Sequence, residues 1–287
     1  MRSRGSKQSS TLARRRSLRV LVVAALFVLA SVAGAEGASS ERVSLAVNPT
    51  RLLMGGKAQG MFEVTNPTNR PLVVGVSTAD FLLRANGTAV VSPKLPSARS
   101  AKKWLKVSPA KLRLAPGATD TLRVSSNAPK GASPGDHHAL VQFTTAPTGS
   151  GTVRTRTQIG LPVLVRVNGP VLRTLEIKSL RVAQSKSGRR LRLVVRNRGN
   201  INERLLRRTV TVRLVRGGKR LAKLVAPART VLPGERTVYS LPLAERMHGS
   251  VTALVSVRPA SAANAGAGAP ELRPLSRTFR LRLGSPR

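Results

Sequence analysis

The sequence has no cysteine, one tryptophan, one tyrosine, and only 11 acidic residues against 50 Lys and Arg in 287. Each scarcity excludes something. Without cysteine there are no disulfides, thiolate metal sites or thiol nucleophiles, so stability has to come from packed cores. With aromatics at 2%, there is little to build a row of stacking rings for single-stranded nucleic acid or sugars. Trp104 and Tyr239 fall in different halves of the chain, which argues against dedicated nucleic-acid binding. The acids are scattered singly, so a two-carboxylate glycosidase site has little support. There is no Gly-x-Ser-x-Gly elbow. Gly55-Gly56 and Gly217-Gly218 read as hairpin turns rather than phosphate loops. His137 and His138 are neighbours, and neighbours on a strand point to opposite faces, so they do not converge on one metal. These features describe a protein that is not an enzyme, with no cofactor and no metal site.

What is present is strand vocabulary. Apolar residues make up 41% of the chain, mostly Leu, Val and Ala in short runs broken by Pro, Gly and Asn. Residues 41–169 read as about seven short strands, among them Ala58 to Thr65, a strand starting at Leu72, and the hairpin signal Asn86-Gly87. WLKVSPAKLRLAPGATDTLRV reads as two strands joined at Pro116-Gly117, and PGDHHALVQF and RTQIGLPVLVRV supply the last two. Residues 170–287 repeat the scheme, with a hairpin at Gly217-Gly218 and a loop over 260–270 before the final strand. Two motifs recur in the same order. Val64-Thr65-Asn66-Pro67-Thr68-Asn69 answers Val195-Arg196-Asn197-Arg198-Gly199-Asn200, and Leu114-Ala115-Pro116-Gly117 answers Val231-Leu232-Pro233-Gly234. The expected fold is all-β: two tandem immunoglobulin-like antiparallel sandwiches, 41–169 and 170–287, after an N-terminal signal peptide.

That signal peptide occupies residues 1–38. A basic lead ending in Arg14, Arg15, Arg16 and Arg19 is followed by an apolar run over 20–34 and the small-residue pattern Ala33-Gly34-Ala35. The run is short for a membrane span, which needs about 20 residues, so membrane attachment arises only if the signal stays uncleaved. Residues 1–35 hold seven basic groups and no acid. The remaining charge is unevenly spread: 26 basic and 5 acidic residues in 170–287, against 17 and 5 in 41–169. Such an excess attracts anionic polymers of the cell envelope.

Thr50-Arg51-Leu52-Leu53-Met54, together with WLKVSPAKLRLAPGATDTLRV, resembles the N-terminal immunoglobulin-like domain of periplasmic pilus chaperones, the PapD-like group. PGDHHAL and IGLPVLVRV are similar to the peptidoglycan-binding domain of WxL-interacting surface proteins. The second half carries a generic immunoglobulin-like pattern. The pilus-chaperone resemblance implies that Arg51 lies in a cleft between two domains and, paired with a lysine on the last strand of the first domain, grips the C-terminal carboxylate of a client. The corresponding stretch here, Thr157-Gln158-Ile159-Gly160-Leu161, has no lysine. Ile159, Leu161, Val163, Val165 and Val167 share one strand face, and Pro162, without an N–H, blunts the addition of a further strand.

The expectation is an exported, envelope-associated binding or adhesion module that contacts an anionic wall polymer or a surface protein. The alternative is a chaperone-like assembly factor for surface subunits. Arg51 is the candidate ligand-binding residue. A second basic residue beside it in the cleft separates the two readings.

Overall fold

Strand residues 119–127, Thr-Asp-Thr-Leu-Arg-Val-Ser-Ser-Asn, bury Leu122, Val124 and Ser126 and turn the intervening residues outward. This period of two recurs along the chain and is the reason its apolar runs form half-buried strands. The computed structural model describes residues 45–91, 98–147, 154, 156–185, 188–265 and 269–284. The signal segment lies outside the described residues. Among them, no helix is long and apolar enough to cross a membrane.

The first half contains β1 (Ala46–Asn48), β2 (Leu52–Gly55), β3 (Lys57–Thr65), β4 (Leu72–Ala79), β5 (Phe81–Leu83), β6 (Ala89–Val91), β7 (Leu105–Ser108), β8 (Lys111–Leu114), β9 (Thr119–Asn127), β10 (Gly135–Thr145) and β11 (Gln158–Val167). They form a four-stranded sheet, β1-β3-β9-β7, a five-stranded sheet, β2-β11-β10-β4-β8, and the small β5-β6 hairpin. Between the two larger sheets lies one core, with Phe62 and Phe143 meeting edge to face at 5.7 Å.

The second half contains β12 (Leu175–Ser185), β13 (Gly188–Asn197), β14 (Glu203–Leu205), β15 (Val210–Arg216), β16 (Lys219–Val225), β17 (Arg229–Val231), β18 (Arg236–Pro242), β19 (Gly249–Val257), a single helical turn α1 (Ala262–Ala265) and β20 (Leu275–Leu283). Its sheets run β12-β13-β18, β16-β15-β19-β20 and β14-β17. They enclose a second core around Leu191, Leu193, Val212, Leu214 and Tyr239. The fold is that of all-β immunoglobulin-like sandwiches, as expected.

Two turns behave differently from their sequence reading. Gly55-Gly56 is no hairpin: β2 and β3 flank it but belong to different sheets, and Gly56 accepts a hydrogen bond from the Ala128 N–H. The stretch from Trp104 to Val124 gives three strands rather than two. It is interrupted at Pro109, which cannot donate to a ladder, and β7 and β8 then pair in opposite sheets. By contrast, Asn86-Gly87 and Gly217-Gly218 do close hairpins, with positive φ at all three glycines.

The repeated motifs meet in space, and they do so identically in both halves. Asn66 Nδ2 donates to the carbonyls of Arg70, Leu114 and Ala115 at 2.7, 3.2 and 3.0 Å, while its Oδ1 accepts from the Thr68 N–H. Asn197 Nδ2 donates to Ile201 and Val231 at 2.7 and 3.0 Å, and its Oδ1 accepts from the Gly199 N–H. The backbones match as well. Gly117 N–H donates to Asn66 O and Gly234 N–H to Asn197 O, with φ of 70° and 77° at the two glycines. Both asparagines are fully buried, so each ties a strand exit to the Pro-Gly turn of another strand where no water reaches.

Candidate functional site

The two halves meet along a seam. Gly135 N and Cα pass so close to the Asn200 carbonyl that an added Cβ would stand 2.1 Å from that oxygen, and at φ 104° the position already favours glycine. The Asp136 N–H donates to the Asn200 carbonyl. Asn200 Nδ2 donates to Pro134 O at 3.2 Å and to Pro170 O at 2.8 Å. On a second line of contact, Val238 N–H donates to Ala85 O, and Leu232 joins Ala79, Phe81 and Leu140 in a small apolar cluster.

Asp136 is the polar centre of this seam. It is 1% exposed. Its carboxylate accepts two hydrogen bonds from Arg166, at 2.6 and 3.0 Å, and a third from the Asn202 N–H at 2.8 Å. Arg166 sits opposite it across the β10-β11 ladder. The last strand of the first half therefore does supply a basic residue, but a carboxylate already holds it. Nothing in the local sequence joins Arg166 to Asp136. The pairing depends on antiparallel register across about thirty residues of intervening chain, which no local pattern announces.

Arg51 stands exposed between β1 and β2. Partial burial, and next the nearby charge of Arg204 on β14, hold its guanidinium below the ordinary arginine value. Neither arginine has an ion-pair partner among the described residues. A basic residue of the second half, rather than of the strand where a lysine was sought, thus lies within electrostatic reach of Arg51. The only sequence signal is the segment Glu203-Arg204-Leu205, too short to read as a strand beforehand. Leu53 on β2, 57% exposed, and Leu206 just after β14, 40% exposed, add apolar surface.

β2 runs parallel to β11 only at Val163, Leu164, Val165 and Arg166. Among the described residues, 158–162 have β10 as their one strand partner, so no described strand covers the other edge of this part of β11. Val163 and Val165 are fully buried, and Ile159 and Leu161 pack part-buried on the same core, as the single-face reading anticipates.

The histidines are structural in their contacts. His137 Nε2 lies 2.9 Å from the Ser133 carbonyl, with its ring 4.3 Å from that of Trp104. His138 faces the other way, 5.1 Å from the Phe81 ring. Burial pushes His138 down to about 4, with the neighbouring His137 adding to the effect.

No family model matches the chain, and no curated protein matches it by sequence. Several solved structures of fimbrial chaperones are similar to this chain. The class 5 fimbriae chaperone CfaA is 13% identical with a TM-score of 0.44, the match covering 82% of this chain and 98% of that one. The E. coli chaperone DraB is 14% identical with a TM-score of 0.43, covering 82% and 96%. The Salmonella enterica SafA pilin complex with the SafB chaperone gives 16% identity and a TM-score of 0.42 over 82% and 96%.

Proposed function

We propose that this protein is an exported, chaperone-like assembly factor that captures a surface subunit by its C-terminal carboxylate, with Arg51 and Arg204 as the grip. The observation that carries this reading is that two arginines, one from each half, feel each other's charge while neither has a carboxylate partner among the described residues. Two like charges held near each other repel, and an anion placed between them relieves that repulsion while accepting charge-assisted hydrogen bonds. The edge at 158–162 that no described strand covers gives an incoming extended segment one ladder to pair with. Pro162 limits how far such pairing extends, which places more of the affinity on the carboxylate.

The test uses a synthetic strand-forming peptide of alternating valine and threonine, made once with a free C-terminal carboxylate and once as the amide. The full chain should bind the acid about tenfold more tightly, the worth of one good charge-assisted contact. That preference should vanish in Arg51→Ala and in Arg204→Ala. Equal binding of acid and amide by the unsubstituted protein rejects the grip.

A second reading has its own observation. The 26 basic residues of 170–287, against 5 acidic, favour attachment to an anionic envelope polymer through the second half, in line with a binding or adhesion module. The two readings use different surfaces.

A further inference from the structure

Strands β15, β16, β19 and β20 form one sheet with eight Lys and Arg residues and no acid. Register sorts its side chains. Thr211 pairs with Ser256 on one side, and Arg213 with Lys223 on the other, while Val210, Val212 and Leu214 between them are buried. Thr211, Arg213, Lys223 and Ser256 therefore share the outer face. At one end of that face they line a cup of about 180 Å³, joined by Arg208 and Arg258 from the flanking turns.

The lining has four cations, the hydroxyls of Thr209, Thr211 and Ser256, the last two facing each other across adjacent strands, and no carboxylate. The Thr209 hydroxyl donates to the Leu206 carbonyl, and the other six side chains have no hydrogen-bond or ion-pair partner among the described residues. Arg208 adopts φ 69°, a left-handed conformation that a non-glycine residue holds at a cost. The cup is smaller than the roughly 300–1,000 Å³ typical of drug-sized ligands. Its content suits a compact anion with several oxygens, which guanidinium forks and hydroxyls can satisfy together.

A second recess lies at the other end of the same face, beside Arg280 and Arg282 and at Val215 and Thr252. From Thr211 to Val215 along β15 is about 13 Å, at about 3.3 Å per residue. One small anion cannot reach both recesses, but a chain carrying repeated anionic groups can.

We infer that this outer face binds a linear phosphodiester polymer without bases, seating one phosphate in the cup formed by Arg208, Arg213, Lys223 and Arg258. The inference deepens the polymer reading above and is independent of the Arg51 grip. Nucleic acid fits less well. The only aromatic residue on these four strands is Phe279, which packs against the core with Arg277 over its ring, so bases would find nothing to stack on.

The experiment titrates the full chain with a poly(glycerol phosphate) oligomer in about 0.15 M salt, a concentration at which diffuse surface charge is largely screened. The double variant Arg213→Gln/Lys223→Gln should bind about tenfold more weakly. A control, Lys178→Gln/Arg181→Gln on β12, removes the same charge from another sheet and should lose about twofold. Equal losses in the two variants overturn the site in favour of diffuse attraction, and so does failure of the polymer to bind. Tighter binding of an oligonucleotide of equal charge, or of phosphatidylglycerol vesicles, lost in the same variant, overturns the class of ligand. If the double variant fails to fold, Arg258→Gln alone carries the comparison. Arg51→Ala should leave polymer binding unchanged, which separates failure here from failure of the carboxylate grip.

Discussion

The two asparagine corners are built alike and used differently. Around Asn66 the loop closes on itself: the Thr68 hydroxyl donates to Asn66 Oδ1 at 2.6 Å, and the loop ends exposed at Asn69 and Arg70. Around Asn197 the same bond set holds a loop whose next residues reach across to the other half. Gly199 packs on the backbone of Leu172 and Arg173 in its own half, and from there Asn200 bonds across to Pro134 as well as to Pro170, and the Asn202 N–H donates across to Asp136. One corner geometry thus serves an exposed loop in the first half and the seam in the second. The lesson is that a conserved local bond set fixes where a loop starts, while the residues after it decide what the loop touches.

A similar contrast separates the two buried ion pairs. Arg173 and Glu203 in the second half are each about 1% exposed, joined by bonds of 2.7 and 2.8 Å, and Arg173 also donates to the carbonyls of Pro270 and Ala260. Arg166, the partner of Asp136, is 16% exposed. Arg173→Met strands a carboxylate in a dry site and should cost about 4 kcal/mol in urea unfolding. Arg166→Met leaves Asp136 its Asn202 bond and removes an arginine that already stands partly in water, and should cost less than half as much. Similar losses would mean that solvent does not distinguish the two pairs.

The equivalence of the corners is tested next. Asn66→Ala and Asn197→Ala each strand several buried backbone groups, and each should cost about 3 kcal/mol. A large loss at only one position would show that the shared geometry does not carry shared energy.

Acid sensitivity should belong to the first half. The second half has one histidine, His248, and it is exposed. His138 is 2% exposed with a value of about 4 against an ordinary 6.5. Because the unfolded chain binds its proton more readily, stability is full above about pH 6.5 and falls as pH drops toward 4. The loss between pH 7 and pH 5 should be about 2 kcal/mol. His138→Phe should flatten most of that slope, and a slope unchanged by the substitution would assign the acid response elsewhere.

The smallest effect is expected at the grip. Arg51 is exposed and has no partner to lose, so Arg51→Ala should move the melting free energy by no more than about 0.5 kcal/mol. A larger destabilisation would make Arg51 a structural residue and remove the carboxylate reading's first member.

Period-two burial, the Asn-Gly and Gly-Gly hairpins, and both asparagine corners were legible in the sequence, because each depends on residues near one another in the chain or on a motif that occurs twice. Register and sheet assignment were not. Gly55-Gly56 looks like any hairpin turn until β2 and β3 are seen to enter different sheets, a choice made by what each strand finds to cover its apolar side. Arg166 was readable as a basic residue but not as the partner of Asp136. Arg204 was one arginine among many until the fold brought its charge within reach of Arg51. Charge interacts through space with no regard to sequence separation, so the sequence by itself determined which residues could bind an anion, and only the tertiary structure decided which cations are neutralised and which stand together unpaired.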